Sequence, residues 1–544
     1  MIDIDDNTTI IEAFRLSAQR YADRAFLVAP PNPNRSYDQA GREITYAQAF
    51  NAVHALMEDY RAAGYGLDHR IALLLENRLE HVLHKLAINA IGACCVPINP
   101  DYRKRELVYL IEHSKVDLIV ALASRKEQIQ DALSEAGHKA PSILLEDWSR
   151  EVLPAALRLA EPGCVTAETP ASILYTSGTT GQPKGCVLSN AYELAAGKWY
   201  AALGGRAKIE EGGDRLYNPL PLFHVNASIL SLYCMLLTGG AQIQTDRFQP
   251  SRFWQEVSDT KATIIHYLGV VVPMLLNQPE SELERGHSVR FGLGAGVEPQ
   301  LHGVFEQRYG FPLLEIWGMT EMVRPMCDCY EPRQVGTRAF GRARPGLDAA
   351  VMDEYGDFLP DGVPGELVIR YSEEQPRKHF FSGYLDNERA TEDAWRGGWF
   401  HTGDVVVRHA DGMFHFMDRR KNIIRRSGEN IAAAEVEALL LTHPYVRGAA
   451  VLAVPDEVRE EEVLACVVLA EEGMHRDRTS VAREIFDFCH RNLAYYKAPG
   501  WMWFASEIPT TGTQKIQKHR IFEHGVDPRT LQGIHDLRSL KKRT

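Results

Sequence analysis

Through the first two thirds of the chain, short apolar runs rich in β-branched residues alternate with stretches of helical period. RIALLLEN from Arg70 reads as a strand, residues 78–91 as a helix, and CCVPINP from Cys94 as a strand. Residues 106–113 and VDLIVA from Val116 repeat the beat. ATIIHYLG from Ala262, SVRFGLGAG from Ser288 and LLEIWGMTE from Leu313 are further strands, each running into a small-residue or polar turn. Strands separated by helices pair parallel, because each crossover returns the chain to the same edge of the sheet. The pattern predicts an α/β fold, with ligand groups where strands end.

The texture changes from Val351. DEYGDF, PDGVPGEL and RHADGMF are short strands with turn signals and predict a β-rich subdomain. After Lys421 the chain begins again, with a hairpin-like SGENI, a helix over 432–442 and a strand over 447–454. The reading is therefore a large N-terminal domain, 1–420, of parallel-rich sheets with helices and a β-rich subdomain. A small α+β C-terminal domain, 421–544, follows. A chain of 544 residues is too long for one core, which agrees with this division.

Charge and cysteine usage narrow the function classes. A net charge of -12 argues against a nucleic-acid partner, which calls for a basic field. Nine cysteines without regular spacing suggest free thiols in a reducing, cytoplasmic compartment. The start MIDIDDNTTI is acidic and lacks a basic-then-apolar signal region. The most apolar window, residues 264–276, is shorter than the ~20 residues a bilayer span needs, so no stable membrane insertion is expected.

One loop stands out chemically. Residues 172–185 read SILYTSGTTGQPKG: a short strand, then Thr176, Ser177, Gly178, Thr179, Thr180, Gly181 and Lys184 within one turn. Free backbone N–H groups, hydroxyls and an ammonium suit an anionic oxygen cluster, above all a phosphate. The Walker A pattern is absent, because Lys184 precedes Gly185 with no Ser or Thr after it. Composition alone also allows a solvated linker.

Four more clusters follow: EIWGMTE (315–321), WFHTGD (399–404), FMDRRKNIIRRSGEN (416–430) and PTTGTQKIQK (509–518). With the opening loop, and in this order, they resemble the core motifs of the adenylate-forming superfamily, which contains acyl-CoA synthetases, adenylation domains of peptide synthetases and luciferases. The resemblance runs from about Arg70 to Lys518. It implies a large domain with a small mobile lid and a two-step reaction: a carboxylate attacks the α-phosphorus of ATP, and a thiol or another nucleophile then displaces AMP.

The resemblance also implies roles. The loop from Thr176 to Lys184 would cradle the β- and γ-phosphates, Thr320 would bond the α-phosphate, and Glu321 would hold Mg2+. Asp404 would accept the ribose hydroxyls and Arg419 would reach the ribose and phosphates. Trp317 takes the place of the family's usual tyrosine and would stack on adenine; Gly294, Ala295 and Gly296 would border the adenine and acyl group. Lys515 matches the catalytic lysine, with glutamine before it where relatives often have glycine. Lys421 falls at the hinge, and Gly428 would line a pantetheine channel after the lid rotates. His224, in PLFHVNA, matches the position between acyl pocket and thiol tunnel; as a residue it also reads as a satisfied strand-end histidine. Val225, Asn226, Tyr267, Leu268, Gly269, Met322 and Arg324 would complete the acyl pocket, with Arg324 facing either a polar acyl tail or solvent.

The resulting expectation is an AMP-forming acid–CoA ligase using ATP, Mg2+ and CoA on a small-molecule carboxylic acid, nearest in character to the carnitine and crotonobetaine ligases. The alternatives are a stand-alone adenylation enzyme that loads a carrier protein in trans and an inactive nucleotide sensor. A homodimer stays open.

Overall fold

The computed structural model describes the chain except residues 177–182, 354, 420–422, 510–517, 519–520, 523–525 and 543–544. Two large sheets share one core. The first runs, edge to edge, through Met322–Cys327, Leu313–Met319, Phe291–Ala295, Ile264–Leu268, Arg215–Asn218, Ala241–Gln244, Ala25–Ala29 and Arg42–Thr45. Its six inner strands are parallel and its two edges antiparallel. The second runs through Gly383–Tyr384, Lys184–Ser189, Pro170–Thr176, Cys94–Pro97, Arg70–Leu74, Leu118–Ala121 and Ser142–Leu144. Its first three strands pair antiparallel and the rest parallel.

The predicted α/β architecture holds, with one difference. Antiparallel edges arise where the chain turns back without a helix, at Thr320–Glu321 and across residues 30–41, because strands joined without a crossover helix pair antiparallel.

Helices Leu79–Ala90, Asn190–Ala201 and Leu232–Thr238 contribute to the same core as both sheets. A buried triad fixes the first two: Lys85 Nζ lies 2.8 Å from Glu193 and donates to Ser172 Oγ at 2.5 Å. Ser172 is on the strand that feeds the glycine-rich loop, so this triad ties the loop's root to two helices.

The predicted β-rich stretch forms a five-stranded antiparallel sheet, Ala339–Gly341, Phe414–Arg419, Phe400–Arg408, Gly365–Arg370 and Asp348–Met352. Asp353 and residues 355–357 lie outside any strand, where a strand was expected. The C-terminal sheet comprises Glu429–Ala432, Ile423–Arg426, Glu460–Leu469, Trp501–Phe504 and His535–Asp536, with Val446–Asp456 paired to Glu460–Leu469. Helices Ala433–Leu440 and Arg478–Asn492 pack on it around a separate apolar cluster. Lys421, read as the hinge, lies outside the described residues. Among the described residues no helix is long and apolar enough to cross a membrane.

Candidate active site

Strands Pro170–Thr176 and Lys184–Ser189 pair antiparallel with Thr176 opposite Lys184, so both ends of the glycine-rich loop reach one point. Ser177, Gly178, Thr179, Thr180 and Gly181 lie outside the described residues. Helix Lys104–Ser114 braces both arms of the hairpin. Tyr109 donates to the Pro183 carbonyl at 2.8 Å, and His113 Nδ1 shares a 2.8 Å hydrogen bond with the Tyr175 hydroxyl.

Strand Gly383–Tyr384 pairs with Lys184–Ser189 and carries Tyr384 beside Lys184, whose ammonium sits 4.5 Å from the ring centre. The Tyr384 hydroxyl donates to Glu321 at 2.7 Å. Burial, aided by the Glu321 charge, pushes this phenol far above its ordinary range. The Thr320 carbonyl accepts from Tyr192 at 2.6 Å. Lys184 and Glu321 thus converge on Tyr384, with Thr320 beside Glu321 in the chain. Sequence reading missed Tyr384, because an aromatic after a glycine carries no distinctive signal.

Trp317 and Asp404 also meet. The indole Nε1–H donates to Asp404 Oδ2 at 2.9 Å, and both residues are buried. Asp404 pairs across the ladder with Arg419, whose side chain is outside the description. The Gly294–Gly296 segment ends strand Phe291–Ala295. A Cβ at Gly294 would lie 2.2 Å from the Tyr267 carbonyl oxygen, so only glycine permits this approach. Glu315 holds the segment from behind, accepting from the Tyr267 hydroxyl (2.9 Å) and from the Gly296 and Val297 amides (3.1 and 3.2 Å). Burial pushes its carboxyl up to about 7. Its place in the quoted motif was legible; its role as a brace was not.

The C-terminal sheet closes against these strand ends. Ser427 and Gly428 form the turn between Ile423–Arg426 and Glu429–Ala432, with Gly428 at φ +85°. A Cβ there would lie 2.1 Å from Leu268 Cδ1. Glu429 Oε2 stands 3.4 Å from His224 Nε2. Just beyond His224 the chain forms a π-helical segment, Asn226–Ser231, an irregularity frequent at functional sites. Asn226 is fixed by His266 Nδ1 at 2.7 Å and Asn218 at 3.0 Å, and burial pushes His266 down to about 3, keeping it neutral. In the sequence His266 is one residue of the strand ATIIHYLG, with no local signal of this role.

Two further contacts cross the seam. Glu460, at φ +68°, extends its carboxylate over Gly269 and Gly296. Burial pushes that group up to about 7, with Arg425 opposing and Glu461 and Glu298 reinforcing. Lys497 donates to Glu106 at 2.7 Å and Glu435 at 2.9 Å. Arg324 is 4% exposed, which removes the solvent-facing option; it donates to the Gly346 carbonyl and to His379 and stacks on Tyr371. Lys515 lies outside the described residues.

Residues 14–385 match the AMP-binding enzyme family, and residues 435–515 match the family's C-terminal domain. This chain belongs to the AMP-binding enzyme family. A sulfoacetate–CoA ligase from Cupriavidus necator is 31% identical over 524 residues, covering 95% of this chain and 98% of that protein. A crotonobetaine/carnitine–CoA ligase from Escherichia coli is 30% identical over 464 residues, covering 82% and 87%. Among solved structures, an amide bond synthetase from Marinactinospora thermotolerans superposes with a TM-score of 0.79 at 25% identity, covering 94% and 99%. In this AMP-binding enzyme the larger match contains Lys184, Trp317, Glu321 and Tyr384, while Asp404 falls between the two matches.

Proposed function

We propose that this protein is an AMP-forming acid–CoA ligase. One observation carries the reading: Lys184, Glu321 and Tyr384 converge at one point of the N-terminal domain, and the His224–Glu429 and Gly428–Leu268 contacts bring the C-terminal hairpin against the sheet whose strand Leu313–Met319 leads into Glu321. Two chemistries on one acyl group need that adjacency.

In the first half-reaction a carboxylate attacks the α-phosphorus and pyrophosphate leaves. Lys184, with the loop from Thr176, binds the departing phosphates, and Thr320 bonds the α-phosphate. Asp404 and Arg419 hold the ribose. Lys515 neutralises charge between the acyl carboxylate and the α-phosphate. In the second half-reaction CoA enters along Gly428 beside His224, its sulfur attacks the acyl carbon, and AMP departs.

The residues fit a magnesium ion. Glu321 is a hard oxygen donor at the phosphate end of the site, and among the described residues no group of three or more His, Cys, Asp or Glu forms an all-protein cage. A cation held by one carboxylate and substrate phosphates is the usual arrangement for this metal, which would supply charge neutralisation. The division into domains 1–420 and 421–544, turning at Lys421, belongs to this proposal, since one pocket must serve two steps. Nine free thiols, eight of them buried, support a cytoplasmic location. The closely covering relatives named for sulfoacetate and for carnitine both act on small polar acids, which supports that substrate class.

The test is acid-dependent ATP–pyrophosphate exchange over a panel of small polar acids, followed by thiol transfer to CoA. Exchange with thioester formation is expected. Exchange without CoA transfer would move the acceptor to a carrier protein, and no exchange with any acid would overturn the reading.

A further inference from the structure

We propose that Trp317 is a positioning residue for the nucleotide, acting through Asp404 by its indole N–H. This inference rests on the reading of Asp404 as the ribose partner. An indole nitrogen is a donor only, and once buried it needs an acceptor. Here the acceptor is Asp404 Oδ2 at 2.9 Å, and a bond to an ionised carboxylate is among the stronger hydrogen bonds a protein makes.

The geometry leaves the indole little freedom for another task. Trp317 is 5% exposed, its ring lies 6.0 Å from that of Phe340, and its strand register fixes it opposite Met326. A residue with so little open surface offers a base only a small stacking area. Its edge, by contrast, is fully engaged. The backbone of Asp404 is fixed as well: its amide donates to Thr402 Oγ1 at 3.1 Å, and Thr402 donates to the Leu367 carbonyl at 2.7 Å. The Gly403 amide donates to Glu366 at 3.0 Å. The indole N–H engages one carboxylate oxygen and so restrains the rotation of the carboxylate about its own bond. Bidentate recognition of two neighbouring hydroxyls depends on that plane. Phenylalanine at 317 would keep an apolar ring and lose the orienting donor.

Calorimetric binding of ATP and of 2′,3′-dideoxy-ATP to the full chain, with magnesium present, separates the roles. Trp317→Phe is expected to weaken ATP about tenfold and leave dideoxy-ATP within about twofold of wild type. Asp404→Asn should show the same selectivity, and the double variant should lose less than the two losses combined. Equal weakening of both nucleotides by Trp317→Phe would assign the ring to stacking and overturn the proposal, as would no change with either. Wild type that does not prefer ATP over dideoxy-ATP would overturn the ribose role of Asp404 itself, a separate failure visible before any variant is made. Should Trp317→Phe not fold, the indole 15N–H resonance of Trp317 in the wild type supplies the readout. It should shift with ATP and not with dideoxy-ATP; equal shifts with both would overturn the proposal.

Discussion

Around Lys184 and Glu321 the contacts join segments of the first 420 residues through short hydrogen bonds: Tyr384 to Glu321, Tyr192 to Thr320, Trp317 to Asp404. Where the C-terminal sheet meets those strands, the contacts differ in kind. A buried ion pair reaches across at Lys497–Glu106, His224 faces Glu429, and glycines let surfaces approach, as at Gly428 against Leu268. A hydrogen-bonded face built on sheet ends keeps its geometry through a reaction. A seam of charges and close glycine contacts can part and re-form as a unit, because water can solvate the separated ions. The comparison teaches that the proposed nucleotide face and the seam with the C-terminal sheet are different physical environments.

The strongest way to break the comparison is Lys515→Ala. Acid-dependent pyrophosphate exchange should fall on the order of a thousandfold, with thioester formation from supplied acyl-AMP largely kept. Equal loss in both halves would mean that the two regions do not divide the chemistry. Lys497→Met comes next. It leaves Glu106 and Glu435 facing each other without their buried cation, at a cost of about 3–5 kcal/mol. A denaturant melt reads the loss, and the thioester half should suffer more than exchange.

Gly428→Val tests the close approach. Left-handed backbone strain and overlap with Leu268 should lower thioester formation about a hundredfold while exchange stays near wild type. A parallel fall in exchange would place Gly428 in the nucleotide face.

The smallest effect concerns pH. The Glu460 carboxyl rises from 4.5 to about 7 when the seam is closed. A raised carboxyl favours the closed arrangement most fully below pH 4.5, and that advantage is lost as pH climbs through about 7. Glu460→Gln should therefore flatten the dependence of the thioester half-reaction between pH 6 and 8, raising the rate at pH 8 about threefold. An unchanged profile would show that Glu460 is not the titrating group.

Much of this was readable in the chain. The strand starts at Arg70, Cys94 and Leu313 follow from apolar runs bounded by turns, and the SGEN hairpin follows from its glycine. What stayed hidden was contact between distant segments. Trp317 and Asp404 are 87 residues apart, and nothing local says that an indole donor will find that carboxylate. Tyr384 reaches Glu321 only because a two-residue edge strand pairs with the loop hairpin. Arg324 looked equally suited to solvent or substrate until its burial settled the first.

The amino-acid order alone determined the period of the elements, the residue types at strand ends and hence the class of chemistry. Those depend on local sterics and on the charge a phosphate demands. Only the tertiary structure decided which buried donor meets which acceptor and which glycine must stay bare, because such pairings arise from packing between sheets, where sequence distance carries no information about spatial distance.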